Sequence, residues 1–140
     1  MSSIVENNVS GGVDLNSLTS GERWLIGMLG THLTANPKCN LGTDFNTKGD
    51  LDFSKVNTIE VQADSRNTNH VTIHLYTFTP SIQEVDSTGS LVAGASATLT
   101  AGGRPDCLFY VQNNTSIAYF SFTSFTTTDG KVHTASNLNY

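Results

Sequence analysis

The sequence predicts a mainly β protein: an antiparallel sandwich or flattened barrel of six to seven strands, with one N-terminal amphipathic helix packed on it. Three observations carry that expectation. Thr, Ser and Asn number 19, 15 and 13 among 140 residues. The branched Cβ of threonine suits a pleated surface, while Ser, Asn and Gly suit turns. Helical periodicity occurs once, early, and later apolar patterns alternate with period two. Seven Phe and four Tyr, with Val, Ile and Leu, supply enough apolar surface to fold rather than stay disordered. A length of 140 residues suits one domain.

Residues 1–18 are polar, carry Gly11-Gly12, and read as an arm ahead of a single domain over 19–140. Thr19-Ser20-Gly21-Glu22 is a capping-box sequence, in which Thr19 and Glu22 each satisfy an N–H that the first helical turn leaves without a partner. Leu25, Leu29 and Leu33 step by four and share one helical face. Asn36-Pro37 stops the pattern, which places the helix at about 19–35. Gly27, Gly30, Thr31 and Thr34 form a stripe of small residues along it. A glycine inside a helix costs about 1 kcal/mol relative to alanine. The stripe therefore predicts a close neighbour, either the chain's own sheet or another subunit.

Residues 36–56 read as loop. Ile59, Val61 and Ala63 then alternate with polar residues, and Val71, Ile73 and Leu75 alternate with His70, Thr72, His74, Tyr76 and Phe78. The turn residues Asp64 to Asn67 make these two runs a predicted hairpin. Pro80 breaks the second run, and residues 82–85 read as an edge strand. Residues 90–101 are small and compatible with a strand. The runs 107–112 and 117–127 read as a second hairpin around Asn113-Asn114. Asp129-Gly130 is the strongest tight-turn signal, returning the chain through 131–135.

Composition narrows the function classes. Charged residues make up 14% against a usual ~25%. The net charge is −5, and the seven Lys and Arg are scattered, so no nucleic-acid surface is expected. No apolar run approaches the ~20 residues that span a bilayer, so no membrane partner is expected. The first residues lack the basic and apolar regions of a signal peptide. Cytosolic synthesis is the expectation, with a virion or extracellular assembly as a possible destination. Cys39 and Cys107 are then expected to be reduced, although spacing alone does not say whether they pair.

Motifs for chemistry are few. His70 and His74 share a strand face, but four residues of strand separate them by about 13 Å, too far for one metal ion. His74 beside Glu60 is a candidate acid–base pair. Asp44, Asn46, Asp50 and Asp52, with Gly49, partly match a calcium loop. Lys48 and Lys55 stand where that loop needs anionic ligands, which argues against calcium. Gly102-Gly103-Arg104 is a weak candidate for holding an anion. No phosphate loop, dinucleotide fingerprint or nucleophile elbow is present. No cofactor is implied. Among the aromatic residues, Phe120 and Phe122 suit the core, and Tyr119 points the opposite way. Tyr76, Phe78, Tyr110 and Tyr119 are candidates for a contact surface.

The sequence thus favours a non-enzymatic structural subunit, of virion, phage-tail or filament type, that binds copies of itself or other structural proteins. A lectin-like carbohydrate-binding module is the alternative, with glycan as partner. A small enzyme using a His/carboxylate pair, His74 or His133 with an acid, stands third.

Overall fold

The computed structural model describes residues 17–35, 51–78, 80–112 and 117–136. Within them lie one helix, α1 (Ser20–Met28), and eight strands: β1 (Leu33–Ala35), β2 (Val56–Ala63), β3 (Thr72–Thr77), β4 (Gln83–Ser87), β5 (Ser96–Thr100), β6 (Leu108–Gln112), β7 (Ala118–Thr127) and β8 (Val132–Thr134). They form two antiparallel sheets, so the described residues make a β-sandwich with one helix. One sheet runs β1-β7-β2-β5, with β8 also on β7; the other runs β4-β3-β6. Seven of the strands occupy the predicted runs, and β1 is the addition.

The long strand β7 organises the larger sheet. Along one edge it pairs with β2 from Val56↔Thr127 to Ala63↔Phe120. The Thr58 and Thr126 hydroxyls meet there at 2.6 Å, a cross-strand pair of the kind that stabilises sheets. Along its other edge, β1 takes Ala118–Phe120 and β8 takes Ser124–Thr126, end to end. The end of the helix fills the space between them: Leu29 bridges Phe122, and Gly30 N–H donates to Phe122 O at 2.9 Å.

The helix is shorter than predicted. Its N-terminus is as expected: Glu22 N–H donates to Thr19 Oγ1, and Thr19 N–H donates to Glu22 Oε1. Its C-terminus is Met28 rather than residue 35. Gly30 adopts φ +74°, the left-handed conformation that closes a helix. Residues 33–35 are then free to extend as β1. Leu25, Leu29 and Leu33 are buried all the same, because a step of four serves a helix followed by a short inward strand as well as one continuous helix.

Both long hairpins are corrected. β2 and β3 lie in different sheets, as do β6 and β7. Alternation marks a strand with one buried face, but it does not say which sheet the strand joins. The 64–70 connection is diverted by Asn67. Its side-chain amide donates to Tyr119 O at 2.7 Å and accepts from Tyr119 N–H at 2.8 Å, imitating a strand pair. The β7–β8 hairpin at Asp129-Gly130 forms as predicted, with Thr127 Oγ1 donating to Asp129 Oδ1.

The inward residues of both sheets are fully buried, among them Ile59, Val61, Ile73, Leu75, Phe109, Val111, Phe122 and Phe125. Phe109 and Phe122 meet across the gap between the sheets at 5.0 Å. Trp24 of α1 reaches both, at 5.6 Å and 5.5 Å. The helix therefore plugs the sandwich and touches both layers at one residue. On the opposite side Asp86 of β4 accepts from Thr100 N–H of β5 at 2.7 Å, clasping the sheet edges.

Candidate functional site

The inward packing of β3 and β6 leaves their other faces outward. Directly opposed positions are Thr72↔Gln112, His74↔Tyr110 and Tyr76↔Leu108. On the other flank Tyr76 opposes Glu84 of β4. The register therefore gathers His74, Tyr76, Tyr110, Glu84 and Gln112 on the outer face of the three-stranded sheet. Their rings are in contact: His74 to Tyr76 at 6.0 Å, His74 to Tyr110 at 5.8 Å and Tyr76 to Tyr110 at 6.4 Å. Aromatic pairs at such separations contribute about 0.5–1.5 kcal/mol each beyond area burial.

His74 is the hub. Its side chain is 16% exposed, against 46% for Glu84. An ionised Glu84 can only accept, so His74 Nδ1–H donates to Glu84 Oε1, at 2.5 Å. Nε2 lies 2.9 Å from Gln112 Oε1. That contact is a hydrogen bond from an imidazolium, or one from the Gln112 amide turned so that its NH2 donates to a neutral ring. In either form the imidazole ties all three strands together. Burial pushes the Tyr76 phenol above its usual pKa, and the nearby Glu84 and Tyr110 add to the shift. Tyr76 thus presents a neutral hydroxyl and a ring face.

The site differs from the sequence expectation in its membership. Tyr76 and Tyr110 come together as candidates, but Tyr119 belongs to the other sheet, under the Arg66 guanidinium at 4.4 Å. Phe78 follows β3 and is half-buried, its N–H donating to Asp106 Oδ2 at 3.0 Å. His74 pairs with Glu84, not Glu60. Glu60 instead accepts from Thr123 Oγ1 at 2.7 Å. His70 contacts Ser90 Oγ at 3.1 Å, and His133 is buried against Phe125 at 4.8 Å. Glu60, His70, His74 and His133 therefore do not converge. Glu84 and Gln112 were missed because only cross-strand register brings them beside His74.

The stripe of small residues does not survive as one face. Gly27 is on the helix, with open space where a Cβ would stand, and Gly30, Thr31 and Thr34 lie beyond its end. A Cβ on Gly30 would come within 3.0 Å of Ala135 Cβ. The helical glycine with a close neighbour is Gly21, packed on Phe53. In the calcium-loop candidate, Asp44, Asn46 and Asp50 lie outside the described residues. Asp52 is occupied structurally: its carbonyl accepts from Gly21 N–H at 3.0 Å and its carboxylate from Ser54 N–H at 2.9 Å. The Gly102 and Gly103 amides donate to Asn57 O and Val56 O, so they are not available to an anion. Cys107 is a free thiol, and burial pushes its pKa up to about 12. Cys39 lies outside the described residues.

Among the described residues no three His, Cys, Asp or Glu side chains gather as a metal-binding group, and no helix is long and apolar enough to cross a membrane. Compared with known protein families, curated proteins and solved structures, the chain matches none of them.

Proposed function

We propose that this protein is a non-enzymatic, lectin-like module that binds glycan on the outer face of its three-stranded sheet. The observation that carries the reading is the contact cluster of Tyr76, Tyr110 and His74, flanked by Glu84 and Gln112. A sugar ring has apolar C–H faces and polar hydroxyl edges. Aromatic faces take the former, and a carboxylate beside an amide takes the latter. Ser87 stands directly opposite His74, but both imidazole nitrogens are engaged by Glu84 and Gln112, which favours binding over catalysis.

A glycan array followed by calorimetry tests this. Tyr76→Ala and Tyr110→Ala should each weaken the identified glycan by about tenfold or more, or 1.4 kcal/mol, while the far-UV spectrum stays unchanged. If no glycan binds, or if neither substitution alters binding, the reading fails.

Self-assembly as a structural subunit is the second reading. One observation favours it: Gly27 costs the helix about 1 kcal/mol, yet among the described residues beyond its own helical backbone no atom lies within 4 Å of where a Cβ would stand. An interface with a second copy would explain a glycine there. Native mass spectrometry separates the two readings. A monomer that binds glycan supports the first, and a ring, filament or shell dissociated by Gly27→Ala supports the second.

A further inference from the structure

A cleft of about 270 Å³ lies on the other side of the molecule, between the start of α1, the start of β2 and the β7–β8 hairpin. Its walls include Glu22, Lys55, Thr128, Asp129, Lys131 and His133. Two of these ionisable groups are nearly removed from solvent: Glu22 is 5% exposed and His133 is 3% exposed. We propose that this cleft binds a small oxyanion, the carboxylate or phosphate group of a low-molecular-weight ligand. The proposal does not rest on the glycan reading, because the platform belongs to the three-stranded sheet and the cleft to the five-stranded one.

The argument is an accounting of donors and acceptors. One carboxylate oxygen of each acid in the cleft is committed to its own chain. Glu22 Oε1 accepts from Thr19 N–H at 3.0 Å and Thr19 Oγ1–H at 3.3 Å. Asp129 Oδ1 accepts from Thr127 Oγ1–H, with Lys131 N–H at 3.4 Å. These bonds hold the Asp129 carboxyl below its usual pKa, so it stays an acceptor tied to the turn. The lysines are less committed. Lys55 Nζ donates to Ser17 O at 3.2 Å, which uses one of its three N–H groups. The Lys131 ammonium makes no hydrogen bond or ion pair among the described residues. Thr128, whose side chain carries a hydroxyl, also lines the cleft.

The cleft therefore has donors in surplus on its lysine side. An oxyanion is the group that two ammonium ions and a hydroxyl recognise together. It must sit on that side, away from the buried Glu22, because like charges in a partly desolvated space repel. The volume falls just below the usual ligand-pocket range of about 300–1,000 Å³, which suits a small anionic group.

Titration of the isotopically labelled protein with inorganic phosphate, and separately with acetate, tests the proposal by two-dimensional amide NMR at constant ionic strength. Sodium chloride serves as the control. One of the two anions should give saturable shifts clustered on Thr128, Lys131 and His133, and the stronger arm identifies which oxyanion is preferred. Lys131→Ala should weaken that binding by about tenfold, and Lys131→Arg should retain most of it. Lys131 is exposed, so neither change should disturb folding. Absence of saturation in both arms, or binding unaltered by Lys131→Ala, overturns the proposal. Neither result bears on glycan binding.

Discussion

Replacing Gly21 with alanine puts a methyl carbon 1.9 Å from Phe53 Cδ1, 2.4 Å from Phe53 Cε1 and 2.5 Å from Asp52 O. Ordinary contacts of this kind are about 3.5–4.0 Å. Phe53 is fully buried and in ring contact with Phe109 at 5.8 Å, so it has no room to retreat. Asp52 O is backbone, and it accepts the Gly21 N–H bond at 3.0 Å. The helix must therefore lift from the chain entering β2. Overpacking of this kind costs about 1–3 kcal/mol or more, and the lost backbone bond adds about 1 kcal/mol. The gain in helix propensity returns about 1 kcal/mol. A net loss of about 1–3 kcal/mol follows from these terms. Gly27→Ala is the internal control, since among the described residues beyond its own helical backbone nothing lies within 4 Å of its added Cβ. A monomer should gain about 0.5–1 kcal/mol from it. Urea unfolding followed through the single tryptophan, Trp24, reads both variants at the helix itself. If Gly21→Ala unfolds within about 0.5 kcal/mol of the parent, the close approach of α1 to Phe53 is wrong, and with it the account of how the helix is seated.

Thr19→Ala removes the Oγ1 acceptor of the capping box. Because its bond to Glu22 N–H is long, at 3.4 Å, the loss should fall at the low end for caps, about 0.5–1 kcal/mol by urea unfolding. Burial lowers the His133 pKa in the folded protein, outweighing the opposing pull of Asp129 and Glu22. The unfolded chain then binds a proton that the native state resists. The stability due to the neutral ring is complete above the unfolded value of 6.5 and declines as pH falls from there toward the folded value. Urea midpoints should therefore fall between neutral pH and pH ~5.5, with a shallower slope in His133→Asn; equal slopes would contradict the assignment. Asp64 and Asp129 have lowered values, from 3.8, so their contribution is lost only in more acidic solution. The Cys107 thiol, pushed up to about 12, should resist alkylation in the native protein at mildly alkaline pH. Peptide mapping should find it labelled only after unfolding, and rapid native labelling would mean that the strand β6 opens readily.

Local features of the sequence carried a good part of the fold. The β class, the capping box at Thr19 and Glu22, and the turn at Asp129-Gly130 are each read from a few neighbouring residues, because dihedral preferences and hydrogen-bonding reach act over that span. The same holds for which side of a strand faces inward: Phe120 and Phe122 are buried and Tyr119 is not. The helix end was legible too, in Gly30, but the step-of-four pattern of Leu25, Leu29 and Leu33 outweighed it, since burial of those leucines is common to both readings.

Only the tertiary structure decided which strands share a sheet, and therefore which side chains meet. Period two records a buried face and nothing about the neighbour across it. Asn67, by pairing with Tyr119, sends β3 to the opposite layer from β2, and that one diversion replaces Glu60 with Glu84 as the partner of His74. The platform and the cleft between α1 and the β7–β8 hairpin are both products of register and crossing. Their residues lie tens of positions apart, and no local propensity specifies a contact over that distance.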